Sequence, residues 1–157
     1  MTGYHDILYC TDFSEDAEIA FIHAVDLAER YRAKLHILHV LHSTLRYTPT
    51  ETDEHAPPGD VTYASDEVVA KALADLKQRY AGRLGGVKET AWAVKAGTAF
   101  VEILRYSRDH PIDLIVMGSV GASQREQTHY GSTVDQVARR AHCHVMAIKN
   151  PERTYTL

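Results

Sequence analysis

The chain has 157 residues, 45% hydrophobic and 24% charged, which suits a folded globular unit and excludes a disordered one. Its net charge of -4, from 17 Lys and Arg against 21 Asp and Glu, argues against nucleic acid or an anionic membrane as partner. Those surfaces need clustered positive charge, whereas a small anionic ligand can be held by backbone N–H groups alone.

The opening residues contain no basic region followed by a long apolar core, so no signal peptide is expected. No apolar run approaches the ~20 residues that span a bilayer. The expectation is a soluble cytoplasmic protein with one domain over residues 1–157. Cys10 and Cys143 lie far apart in apolar runs without a Cys-x-x-Cys pair, and read as reduced buried thiols.

In chain order, short apolar runs alternate with longer helix-period segments. Ile7-Leu8-Tyr9-Cys10 is the first strand and ends in Thr11-Asp12. Ser14 caps a helix with Glu15, Asp16 and Glu18 in its first turn, where the dipole favours acids. Its buried stripe is Ala17, Ala20, Phe21, Ala24, Leu27, Ala28 and Tyr31, at spacings of three and four. Leu35 to Leu41 is the second strand, with His36 and His39 among its apolar residues.

From about 43 to 62 the period breaks into Pro49, Pro57-Pro58-Gly59 and several acids, so a long surface loop is expected. Ser65 then caps a second helix with the stripe Val69, Ala72, Leu73, Leu76 and Tyr80, ending near Gly82. Thr90 to Val94 is the third strand, and Gly97 ends it. Thr98 to Arg108 is the third helix, with Val101, Ile103 and Leu104 inward. Asp113-Leu-Ile-Val-Met117 reads as a strand covered on both faces, stopped by Gly118. Gly131-Ser132 opens a fourth helix with Val134, Val137, Ala138 and Ala141 on one side, and His144 to Ile148 is the last strand.

Strict alternation of five strands and four helices predicts an open parallel sheet with helices on both faces. In such sheets ligands bind beyond the C-terminal strand ends, where the strand order reverses. After the fourth strand the chain reads Gly118-Ser119-Val-Gly121, nine further residues, then Gly131-Ser132-Thr133. Gly118 permits a sharp turn and Gly121 a close backbone approach. The first turn of the helix at Gly131-Ser132 supplies unpaired N–H groups and the positive end of the dipole for an anion. Turn glycines and an ordinary Ser cap would read the same on generic grounds.

Other motifs are absent. The chain has neither Gly-x4-Gly-Lys-Ser/Thr nor Gly-x-Gly-x-x-Gly, and Ser119 lacks the Gly-x-Ser-x-Gly elbow of a hydrolase. His36, His39 and His42 do not share one strand face, so core-edge or solvated imidazoles are expected rather than a metal site.

The spacing Gly118-x2-Gly121-x9-Gly131-Ser132 after a strand of the Asp-Leu-Ile-Val-Met type resembles the ATP-binding branch of the universal stress protein (UspA-like) family. Ile7-Leu-Tyr-Cys-Thr-Asp-Phe-Ser14 is similar to that family's first strand and turn, and Ala33-Lys-Leu-His-Ile-Leu-His-Val40 to its second. The resemblance implies the strand order 3-2-1-4-5. It also implies a nucleotide site in which Thr11 and Asp12 lie at the ribose or adenine side and Val40 meets adenine through its backbone. Gly118, Ser119, Gly121, Gly131, Ser132 and Thr133 would hold the phosphates. The implied ligand is ATP, ADP or AMP, with Mg2+ as an accompanying ion.

The chain departs from the family in having Ala122 after the second glycine, where a basic residue is common. No residue is placed as an obvious base, so a regulatory binding protein with at most slow ATP hydrolysis is expected. The resemblance further implies a homodimer through the last strand, His144 to Lys149. The alternative, a phospho-acceptor domain like a response regulator, lacks its acceptor: the third strand ends in Lys95-Ala-Gly97 rather than Asp.

Overall fold

A computed structural model describes residues 3–42, 65–120 and 132–154. The elements run β1 (Asp6–Thr11), α1 (Glu15–Tyr31), β2 (Lys34–His42), α2 (Asp66–Tyr80), β3 (Thr90–Gly97), α3 (Ala99–Asp109), β4 (Leu114–Gly118), α4 (Ser132–Arg140) and β5 (His144–Ile148). The strands form one five-stranded sheet in the order β3-β2-β1-β4-β5, and every neighbouring pair is parallel. β3 lies at an edge beyond β2 instead of between β1 and β4, so the response-regulator arrangement is not the one adopted. The segment expected as a long loop at 43–62 lies outside the described residues, as do Gly121 and Gly131.

Side chains alternate across the sheet, and the two faces have separate cores. On one, Ile7, Tyr9, Leu35, Ile37, Leu114 and Val116 meet Ala20, Phe21 and Ala24 of α1 and Leu76 and Tyr80 of α2. On the other, Leu8, Cys10, Leu38, Ile115 and Met117 meet Ile103 and Tyr106 of α3 and Val134 and Val137 of α4. The four-residue apolar runs of β1 and β4 are thus read twice, once by each helical layer.

Helix starts follow the expected chemistry. The Ser14 hydroxyl accepts from the Ala17 N–H, and the Ser65 hydroxyl from the Val68 N–H. Thr98 occupies the cap position of α3 without a side-chain cap bond. Cys143 is half-buried rather than buried as expected, and three further expectations about burial need correction. Tyr31 is exposed in the last turn of α1, its ring edge-on to that of Tyr4, and Ala138 is exposed because short α4 turns only Val134 and Val137 fully inward.

His36 is the third. It is buried, not at the core edge, and two hydrogen bonds make that tolerable. Its Nε2–H donates to the Asp6 carboxylate at 2.7 Å, leaving Nδ1 to accept from the Tyr106 hydroxyl at 2.8 Å. Burial lowers its pKa below the ordinary 6.5, outweighing the opposing pull of Asp6. Burial likewise raises the Tyr106 hydroxyl to about 12.

Candidate functional site

β1 pairs with β4 only from Ile7↔Leu114 to Tyr9↔Val116. Beyond that point Cys10 and Thr11 pair with β2, while Met117 and Gly118 pair with β5. The two central strands therefore part company at their C-terminal ends, which is the switch point where open α/β sheets bind ligands. β2 also runs past β1: its last β1 partner is His39, and Val40, Leu41 and His42 pair with β3 alone. The half-buried Val40 thus begins a stretch of backbone with no β1 register partner.

The turn from β1 to α1 is tightly determined. Asp12 is exposed at the mouth of the opening, and its Oδ1 accepts from the Ser14 N–H at 3.0 Å, a side-chain turn that aims the carboxylate. Phe13 has φ 62°, a left-handed conformation that costs a bulky residue of order 1–3 kcal/mol and persists only where neighbours enforce it. Here they do. The Phe13 N–H donates to Thr11 Oγ1 at 3.0 Å, and its ring lies 4.4 Å from the His39 ring and under the Arg79 guanidinium.

Thr11 shares its face with Ile7 and Tyr9, so its side chain points to the α1–α2 layer and away from the α3–α4 layer. Its hydroxyl bonds the Tyr80 hydroxyl at 2.7 Å, and Tyr80 in turn donates to Glu18 at 3.1 Å. Arg79 and Arg83 donate to the same Glu18 carboxylate at 3.0 and 2.8 Å. Burial pushes that carboxyl upward, but the hydrogen bonds from Arg83, Arg79 and Tyr80 outweigh it and the net shift is below 4.5. This network holds the β1–α1 turn; Thr11 has its hydroxyl committed to it. A groove of about 370 Å³ lined by Phe13, Asp75, Gln78 and Arg79 opens on this same side.

On the other wall, the lack of a side chain at Gly118 has a packing cause. A Cβ there would stand 2.9 Å from the Asp16 carbonyl carbon and Cβ and 3.1 Å from the Ala17 nitrogen. The first turn of α1 therefore lies directly against the end of β4. Ser119 is fully buried, and its amide donates to the Ile148 carbonyl at 3.0 Å, so β5 anchors the turn that leads toward α4. Ser132 is the first residue of α4, and half-buried Thr133 is the second, which puts the free amides of a helix start after that turn.

Of the residues singled out by sequence, Asp12, Val40, Gly118 and Ser119 converge on the strand ends around the opening. Thr11 is there by its backbone only. Sequence reasoning missed Asp16, which is 1% exposed and bound to the C-terminal turn. No local signal marks it, because its partners lie 134 and 137 residues away. Burial raises the pKa values of Cys10 and Cys143, so neither is a reactive thiolate. Among the described residues no cluster of three His, Cys, Asp or Glu could hold a metal ion.

The family model described as the universal stress protein family matches residues 3–149. The chain belongs to that family. Universal stress protein MJ0531 of Methanocaldococcus jannaschii is 27% identical over 156 residues, covering 96% of this chain and 85% of its own. The solved universal stress protein UspA from Lactobacillus plantarum has a TM-score of 0.74 and 26% identity, with 94% of this chain and 99% of that one covered. A universal stress protein solved in complex with cAMP has a TM-score of 0.65 at 20% identity, over 94% and 98% of the two chains. That likeness bears on the fold. In this universal stress protein the sheet order leaves β1 and β4 diverging at the centre.

Proposed function

We propose that this universal stress protein binds an adenine nucleotide (ATP, ADP or AMP) at the divergence of β1 and β4 and acts as a cytoplasmic regulatory protein. One observation carries the reading: β1 and β4 lose register after Tyr9↔Val116, and the chain leaves the sheet there at Gly118–Val120, where the glycine spacing of the sequence begins. A relative of the same fold solved with cAMP supports an adenine ligand.

Asp12 supplies an exposed acceptor suited to ribose hydroxyls, and the Val40 backbone supplies groups for the adenine edge. The segment 118–133 supplies phosphate donors: the α4 amides with the helix dipole, and the hydroxyls of Ser132 and Thr133. Gly121 and Gly131, which lie outside the described residues, would add bare backbone for phosphate oxygens, and Mg2+ accompanies a di- or triphosphate. No described side chain is set to activate water at the phosphate end, since Asp12 lies at the ribose end. In this reading the bound state itself is the signal.

The proposed assembly is a homodimer through β5, whose outer edge has no strand partner among the described residues. A row of unpaired backbone groups on an apolar strand favours pairing with its own copy. The reading is tested by mass spectrometry of nucleotide released from protein purified without added ligand, followed by calorimetry with ATP, ADP and AMP. Failure of all three to bind, with no nucleotide released, contradicts it.

A further inference from the structure

Burying a carboxylate is costly unless it is paired and hydrogen-bonded, so the partners of a buried Asp reveal what its position serves. Asp16, in the first turn of α1, is 1% exposed. Its Oδ1 accepts from Asn150 Nδ2 at 3.2 Å and from the Arg153 guanidinium at 3.0 Å. Both donors belong to a tight turn just past β5. The Asn150 carbonyl closes it by accepting from the Arg153 N–H at 3.1 Å, and Asn150 Oδ1 accepts from the Glu152 N–H at 3.0 Å. The second oxygen of Asp16 has no hydrogen-bond partner among the described residues, so its charge relies on this turn.

The pairing lies against both walls of the candidate site. The backbone and Cβ of Asp16 are what a Gly118 side chain would strike. Four residues earlier, Asp12 is tied to the cap residue of the same helix. On the opposite side the Ile148 carbonyl, two residues before Asn150, holds the Ser119 amide. One ion pair thus joins the start of α1, the end of β4 and the end of β5, the elements that carry Asp12, Gly118 and Ser119.

We infer that Asn150 and Arg153 form a latch on Asp16 that positions the β1–α1 and β4 turns for nucleotide, so that latch closure and nucleotide binding strengthen each other. The inference rests on the nucleotide reading above and assigns Asp16, Asn150 and Arg153 as positioning residues rather than ligand contacts. Coupling between two such events is reciprocal: whatever factor the latch adds to nucleotide affinity, nucleotide adds to latch closure.

The experiment combines ATP calorimetry with hydrogen exchange on the intact chain. Arg153→Ala is expected to weaken ATP binding at least about fivefold, the lower end of typical coupling, and to speed exchange of the Ser119 amide. Arg153→Lys, which restores the charge, is expected to recover most of the affinity. In the wild type, ATP is expected to slow exchange of the Arg153 amide, a response that a merely structural ion pair would not give. If Arg153→Ala leaves a buried charge that prevents folding, the pair Asp16→Asn with Arg153→Ala removes that charge and carries the same expected loss of affinity. Wild-type affinity in a latch-less variant, or an Arg153 amide indifferent to ATP, overturns the latch and leaves the nucleotide site standing. A wild type that binds no ATP overturns the nucleotide reading, and the latch coupling with it.

Discussion

Gly118→Ala separates two explanations of the glycine that ends β4. If the position is Gly to let a ligand approach, a methyl group leaves stability unchanged and damages binding. If it is Gly because α1 packs on it, the methyl group strikes Asp16 at 2.9 Å and Ala17 at 3.1 Å, against ordinary contacts of ~3.5–4.0 Å. Both neighbours are backbone or Cβ atoms of a buried helix turn, so relief requires α1 to move. Overpacking of this kind costs about 1–3 kcal/mol. Gly82→Ala is the matched control: it lies in a surface 3-10 turn with nothing within 4 Å of a new Cβ. There Ala is expected to stabilise by about 0.4–1 kcal/mol through the unfolded chain. Urea unfolding of the two variants, read at constant slope, should place them on opposite sides of the wild type. The thermal midpoint should move by ~2–4 °C per kcal/mol in a chain of this size. Equal stability of Gly118→Ala and Gly82→Ala would refute the packing explanation.

Three further outcomes are expected. The wild type should lose stability as pH falls below 6.5, because His36 is held neutral in the fold while its unfolded counterpart takes up a proton there. His36→Gln should flatten that slope in urea titrations run from about pH 7 to pH 5, and an unchanged slope would assign the proton uptake to other groups. Tyr80→Phe removes the hydroxyl shared by Thr11 and Glu18, and should destabilise by about 1–3 kcal/mol in the same assay. Ala147→Pro should abolish dimerisation in sedimentation while sparing the fold. The His144 amide and the Ile148 carbonyl face β4, so the strand alternation points the Ala147 amide outward and the Met146 amide inward. Dimers that survive Ala147→Pro would move the interface off β5.

The sheet was legible because each strand is an apolar run and each long helix a stripe at spacings of three and four. Ile7-Leu-Tyr-Cys10 and Leu114-Ile-Val-Met117 announce burial on both faces, and Ser14 and Ser65 announce helix starts. The side each polar residue faces was less legible, though alternation contains it: Thr11 shares parity with Tyr9, which commits its hydroxyl to Tyr80. His36 was misread because an imidazole in a strand looks the same whether it faces solvent or, as here, an Asp and a Tyr from other elements. Asp16 looked like an ordinary acid at a helix start. Its burial depends on a turn beyond β5, a long-range contact that no local pattern carries.

The central claim is that an adenine nucleotide sits where β1 and β4 diverge. An ATP titration of the isotope-labelled protein, followed by amide chemical shifts, tests it most directly. Saturable shifts are expected at Asp12, at Val40 to His42, at Gly118 to Val120 and at the first turn of α4. Shifts clustered at the opposite strand ends, around His5, Lys34 and Asp113, or none at millimolar ATP, would contradict it.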